Sequence, residues 1–500
     1  GMTGSILFMR YCFLFMWSAV SIFAYARLRK HPLAGFAVIS FFLFAPLDYM
    51  SISYNSVTLA SLVAASVIFI MGRKKPAFIA AGVLLSFAVL CTPPLALLFV
   101  IYCAAVFVKR KSLEKPEFLK GINLLCITCG VVFVVLIFTI FVLSRAGIGE
   151  ISKGIEWMFV AGEHERTGVL AVIREWIINA YRFLRAFPAA AVLGTIACAV
   201  SLFDKNRQKR RILYLVLTSL AVLISLLGCL YKPEYKFNYV MIPFIFLGLQ
   251  CFILTKKKEW RVFILLFCTG IFYALTLGFT SNLGIVSVGQ GLSLSVFASF
   301  LLAGRWYAEH KEEQADMPRK SGGFARLRWA AKIAVLAVIG LCAAQIGCEL
   351  YLRYQRNYLD EPTGKLTVRL ESGAAAGLHT SPENARMYME VIDAIEWMNP
   401  QAEDTVFFGD IMPWAYLSAD ARYGAFSSWF NVQYNDKIYW DVYAEKQRAY
   451  WREKPDKLPD CAYLPKDSPV TPELLAEFIN LAEFEVKETE AAYIIRGRQQ

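Results

Sequence analysis

Between residues 5 and 350 the chain alternates long apolar blocks with short polar connectors. The blocks run near 5–27, 33–50, 55–72, 76–91, 94–108, 121–143, 187–203, 212–231, 239–254, 262–280, 286–304 and 329–350. A helix needs roughly 20 apolar residues to cross a hydrocarbon core about 30 Å thick, so the pattern predicts about twelve membrane spans. The connector after every second block is basic: RLRKH, RKK, KRKSLEKPEFLK, DKNRQKRR, KKKEWR and the stretch 305–328. Lysine and arginine are retained on the cytoplasmic side. That rule puts these connectors in the cytoplasm and the alternate loops, the N-terminus and everything after residue 352 outside. The fourth and fifth blocks meet at CTPP, where Pro93 and Pro94 cannot continue a helix. A tight outer hairpin and a single kinked helix are the two readings there.

Residues 353–500 lose the long apolar blocks. HTSPENARMY opens a helix that runs to about Met398, with Thr380 and Glu383 spaced as a capping box and Pro382 in the first turn. TVFFGD (405–410), CAYLP (461–465) and AAYIIRG (491–497) read as strands. PWAYLSAD reads as a short helix and TPELLAEFINLAEF (471–484) as an amphipathic one. Strands alternating with helices predict a small α/β layer domain. The fold class is therefore a polytopic α-helical membrane protein with a C-terminal extracytoplasmic α/β domain, divided as 1–352 and 353–500, in the plasma (inner) membrane.

Composition sharpens this. Of 500 residues, 57% are hydrophobic and 18% charged, more apolar than a soluble protein. The net charge of +12 conceals a split: residues 353–500 carry 16 Lys+Arg and 24 Asp+Glu, net −8, and the remainder is net +20. The basic character belongs to membrane connectors, so no nucleic-acid partner is implied. Eleven of the twelve cysteines lie in or beside apolar blocks, and Cys461 is the one thiol of the soluble domain. The Cys126/Cys129 pair inside an apolar block lacks the further ligands of a metal site. No metal ligand set and no cofactor is expected, although a divalent metal is compatible with the chemistry below.

Polar residues gather in the outer loops. LDYMSISYN (47–55) keeps Asp48 and Asn55 between two blocks. Asp48 either caps a helix end in the headgroup zone or lines an outward cavity. The loop 144–186 is too long for a plain connector, and its apolar residues recur at helical spacing on both sides of GEHERTG. Two amphipathic helices lying in the interface plane are expected, the second carrying Val169, Leu170, Ile173, Trp176, Ile177 and Tyr181. Glu163, His164 and Arg166 between them read either as a solvated turn or as a lid bearing acid–base or phosphate-contacting groups. YKPEYKFNYVMIP puts Lys232, Lys236 and Tyr239 at the outer surface, against the topological bias, and TSNLG adds Asn282. An anion such as a lipid phosphate would account for cations there. The aromatics dense across 414–451 suit a packed core or contact with sugar or membrane.

Three stretches carry a resemblance. RYCFLFMWSAVSIFAYARLRKHPLAGFAVISFFLFAPLDYMSISYNSVTLASLVAASVIF, GVLLSFAVLCTPPLALLFV and YKFNYVMIPFIFLGL resemble the early helices, the short hairpin and the basic-aromatic-proline helix start of the GT-C superfamily. That superfamily of membrane glycosyltransferases includes protein O-mannosyltransferases and the aminoarabinose transferase of lipid A. The resemblance implies inverting transfer of a sugar from a polyprenyl-phosphate donor to a glycan, lipid or protein acceptor at the outer face. It implies phosphate contacts from Lys232, Lys236 and Tyr239, and it matches Asp48 to a secondary position in the second outer loop. The family's first helix and first outer loop, which bears its principal base, have no counterpart before residue 5. The chain is accordingly expected to begin late, or to have lost that loop and with it activity. The rival readings are a transporter or flippase, and a polymerase or ligase, of lipid-linked saccharides. Arg166, Arg174, Arg182 and Arg185 keep the last one open.

Overall fold

The computed structural model describes residues 3–72, 74–108, 119–152, 169–231, 237–280, 284–315, 322–428, 433–434, 437–438 and 440–497. Two compact units emerge, each described by itself. The larger spans residues 12–151 and 167–358. The smaller gathers residues 359–500 with the N-terminal residues through Tyr11.

The larger unit is built from α1 (Ser5–Leu28, from Cys12), α2 (Ala34–Leu43), α3 (Tyr54–Met71), α4 (Lys75–Cys91), α5 (Ala96–Val108), α6 (Gly121–Leu143), α7 (Val169–Ala186), α8 (Ala190–Phe203), α9 (Arg211–Tyr231), α10 (Met241–Leu254), α11 (260–280), α12 (Ile285–Ala315) and α13 (Gly322–Gln355). Each apolar block of the sequence contains a helix, although the block 33–50 leaves it after Leu43. Among the described residues, eight helices are long and apolar enough to cross a membrane, and nine if the bent pair α7–α8 is one span. The chain is an integral membrane protein. The stretches 34–48, 75–91 and 93–107 are apolar but shorter. At CTPP a 3-10 turn, Pro93–Leu95, separates α4 from α5. α4 packs along α3 and α6, and α5 does not lie along it.

Burial in this unit inverts the soluble-protein rule. α6 has the highest mean hydropathy of the spans, 3.0, yet only 22% of it is buried, because lipid receives its apolar face. α12 has mean hydropathy 1.8 and is 94% buried. Its serines and glycines are the cause: a Cβ on Gly291 would meet the Ala274 backbone of α11, and Gly248 of α10 leaves the room that Ser299 occupies. Without a hydrophobic drive between helices, close backbone approach over small residues holds a bundle together. α12 therefore sits among α2, α10, α11 and α13.

In the smaller unit a five-stranded sheet has the order β2-β1-β3-β5-β4. Its strands are β1 (Thr405–Phe408), β2 (Arg422–Tyr423), β3 (Cys461–Pro465), β4 (Phe484–Glu488) and β5 (Ala492–Gly497). β1 runs parallel to β2 and β3, and β5 antiparallel to β3 and β4. α14 (Pro382–Met398) and α15 (Pro413–Ala419) cover one face through Val391, Ile395, Val406 and Phe408. The other face packs Phe407, Leu464 and Ile495 against Tyr443 and Trp451 of α16 (Trp440–Glu453) and Leu474 of α17 (Pro472–Leu475). The aromatics Tyr416, Tyr423, Phe426, Tyr443, Tyr450 and Trp451 of the 414–451 run belong to this packing. Trp429, Phe430 and Tyr439 lie outside the described residues.

Two expectations fail here. The helix at 471–484 stops at Leu475; Asn480 then caps a 3-10 turn, and 484–488 pairs with β5 as an edge strand. The chain turns after Leu475 and so brings Phe484 into register with Gly497 of β5, a tertiary constraint that overrides local helix propensity. The capping box is absent as well. Ser381 stands at the N-cap without a side-chain bond to the helix, and Thr380 donates its hydroxyl to Asp360 at 2.5 Å.

Candidate functional site

The larger unit has two chemically different ends. At one, the basic connectors meet. Lys256 and Lys257 donate their backbone N–H groups to the buried Glu309 carboxylate at 2.9–3.1 Å. Glu313 pairs with Lys256 at 2.6 Å and with Arg211. Arg261 reaches Ile70 O. These bonds tie the ends of α3, α9, α10 and α12, which reads as structural clamping of a charged rim.

The opposite end is polar without being basic. The chain leaving α2 enters a 3-10 turn, Pro46–Asp48, in which Leu47 and Asp48 both adopt left-handed backbone, φ 55° and 63°. Side-chain-bearing residues rarely accept this, at a cost of about 1–2 kcal/mol each, and such strain concentrates at functional sites. The turn packs against the 3-10 turn Phe237–Val240, with the rings of Phe44 and Phe237 5.8 Å apart. Asp48 is half-buried, and Tyr239 lies on the facing turn with its ring 6.1 Å from Phe187. Asn55 is buried in the first turn of α3, which starts there because Ser53 and Ser56 cap it reciprocally. The structure thus brings Asp48, Asn55 and Tyr239 to one end of the bundle. Glu163, His164, Arg166, Lys232, Lys236 and Asn282 lie outside the described residues.

Beneath this end lies a buried polar layer that the sequence reading missed. Thr58 and Thr92 share a hydrogen bond at 3.0 Å, and Gln290 donates to the Tyr273 hydroxyl at 3.4 Å. Asn238 donates to Val286 O at 3.2 Å. Glu349 of α13 is fully buried and accepts from Ser40 Oγ of α2 and from Gln345 Nε2, each at 2.8 Å. The available signal was one acid inside the apolar run CAAQIGCELYL, a costly placement that marks function more often than packing.

α7 reaches the same end. It meets α8 at 112° and lays Trp176 and Asn179 against Gly278 in the last turns of α11, with Asn179 also beside Gly284. Gly284 in that turn has φ 58°, and a Cβ on it would strike the Arg182 guanidinium, so glycine both makes the turn and admits the cation. Arg182 thereby places a cation at this end.

In the smaller unit Asp410 follows the carboxyl end of β1. Burial, with Asp467 nearby, pushes its carboxyl above the usual range. Among the described residues no group of three or more His, Cys, Asp or Glu side chains is placed to hold a metal. The chain matches no protein-family model, no curated protein and no solved structure.

Proposed function

We propose that this protein transfers a sugar from a polyprenyl-phosphate carrier to an acceptor at the outer face of the plasma (inner) membrane. In this reading the chain crosses the membrane twelve times, its basic end is cytoplasmic, and residues 353–500 are extracytoplasmic. One observation carries it: two consecutive left-handed residues hold Asp48 on a turn packed against the turn bearing Tyr239. Asp48 would orient or deprotonate the acceptor hydroxyl. Tyr239 and Arg182, with Lys232 and Lys236 that precede Tyr239 in the sequence, would stabilise charge developing on the leaving phosphate. Purified protein in nanodiscs is mixed with a panel of polyprenyl-phosphate sugars and membrane-extracted acceptors. Transfer lost by at least tenfold in Asp48→Asn, with donor binding retained, supports the reading. Equal turnover in both proteins removes Asp48 from it, and absence of donor binding by folded protein removes the reading.

Glu349 favours a second reading, movement of a lipid-linked saccharide across the membrane, because intramembrane acids recur in transport pathways. Proteoliposomes separate the two: translocation without bond cleavage belongs to the second.

A further inference from the structure

Gln345 and Glu349 stand one helical turn apart on α13. Both are fully buried. Gln345 Nε2 donates twice, to Glu349 Oε1 at 2.8 Å and to Val240 O at 3.2 Å. Two acceptors at one terminus fix that terminus as the nitrogen. Ser40 Oγ supplies a second donor to Oε1. The two remaining oxygens, Glu349 Oε2 and Gln345 Oε1, have no partner. Both belong to the same amide–carboxyl pair, and both are acceptors when the carboxyl is ionised.

Among the described residues, no cation on the elements packed around the pair is placed to neutralise that charge. α2 carries no ionisable residue, and neither does α12 before Arg305. The turn 237–240 offers only Tyr239. α9 offers Cys229 and Tyr231 at this end, and its arginine stands at the other. On α13 the neighbours are Cys348 and Tyr351, with Arg353 and Arg356 in the turns beyond. An unneutralised carboxylate in such a place is strongly disfavoured, and each unsatisfied oxygen adds to the cost.

We propose that Gln345 and Glu349 form a proton-binding site, in which one proton on Glu349 Oε2 is donated to Gln345 Oε1 and closes a cyclic acid–amide pair. That single hydrogen gives both open oxygens a partner and removes the charge. The ligand is a proton, exchanged as H⁺ with water, and no other bond forms or breaks. The site lies between α2, α13 and the turn 237–240, which carries Tyr239. Release of the proton leaves an isolated negative charge at that junction, so the packing of the polar end is tied to pH. The assignment holds whether the bundle transfers a sugar or moves one.

Infrared difference spectroscopy of the full chain in nanodiscs reads the proton directly. A carboxylic C=O band present in the wild type and lost in Glu349→Gln is the expected result, with the folded fraction checked by size exclusion. Gln345→Leu removes the amide acceptor and shifts the same band to higher frequency. A wild-type spectrum from which E349Q removes only carboxylate bands overturns the proposal. An unshifted band in Q345L overturns the pairing. Should E349Q fail to fold, the Q345L shift alone decides.

Discussion

At the residue scale, two aspartates of the smaller unit carry opposite pH signatures. Asp360 is opposed by partial burial, but the Thr380 hydroxyl at 2.5 Å, the Glu361 N–H at 2.8 Å and the Ser381 N–H outweigh it and hold the carboxyl below its usual range. A lowered folded value gives stability that is present above the ordinary carboxylate value near about 4 and is lost as pH falls through the lowered one. Asp360→Asn should lower stability by about 1 kcal/mol at neutral pH, since water screens this partly exposed carboxylate, with the deficit vanishing in acid. Hydrogen exchange of the 379–398 amides in the full chain measures it. Asp410 runs the other way: burial, then Asp467, raises it. Its contribution is present in acid and lost as pH rises through the raised value. Asp410→Asn should therefore slow exchange of the β1 amides at neutral pH and leave them unchanged near pH 4. Faster exchange at neutral pH would instead show that the carboxylate is held by a charge-specific contact. Neither aspartate was legible in the sequence, where Thr380 looked like a cap. Its bond goes to a residue 20 positions upstream, a pairing that only the tertiary fold creates.

At the scale of elements, the helices were legible because the bilayer imposes their length, and each apolar block contains one. The order of burial among them was not. Hydropathy ranks α6 first, but small residues decide which helix is inside, and α12 has Gly291, Ser295 and Ser299 on successive turns. Gly291→Val should cost about 1–3 kcal/mol through forced separation of α11 and α12, seen as a lower thermal midpoint of the detergent-solubilised chain. Ile137→Ala on α6, where the side chain is exposed to lipid, should change it little. Equal effects of the two would show that α12 is not packed as tightly as its glycines imply. The failed helix at 471–484 teaches the complementary point. Its period favoured a helix to residue 484, and the helix ends at Leu475 because the chain turns to bring Phe484 into register with Gly497 of β5.

At the scale of the whole molecule, charge is the signal that survives when motifs are loose. The sequence already separated basic connectors from outer loops, and the structure brings residues 70, 211, 256–257, 261, 309 and 313 to one end. The candidate site was only partly legible: Asp48, Asn55 and Tyr239 reach one end, whereas Glu349 was hidden by its apolar neighbours. What fixes the side of the membrane is the retention of lysine and arginine in the cytoplasm. That argument yields a direct test. Lys365 and Lys487 are exposed in the smaller unit, and Lys205 and Lys209 are exposed in the connector between α8 and α9. An impermeant amine reagent applied to intact cells should modify Lys365 and Lys487 and spare Lys205 and Lys209 until the membrane is opened. Peptide mass spectrometry reads each lysine separately. The reverse pattern would put the basic end outside, where the Asp48 turn could not meet an outer-leaflet substrate, and the sugar-transfer reading would fail with it.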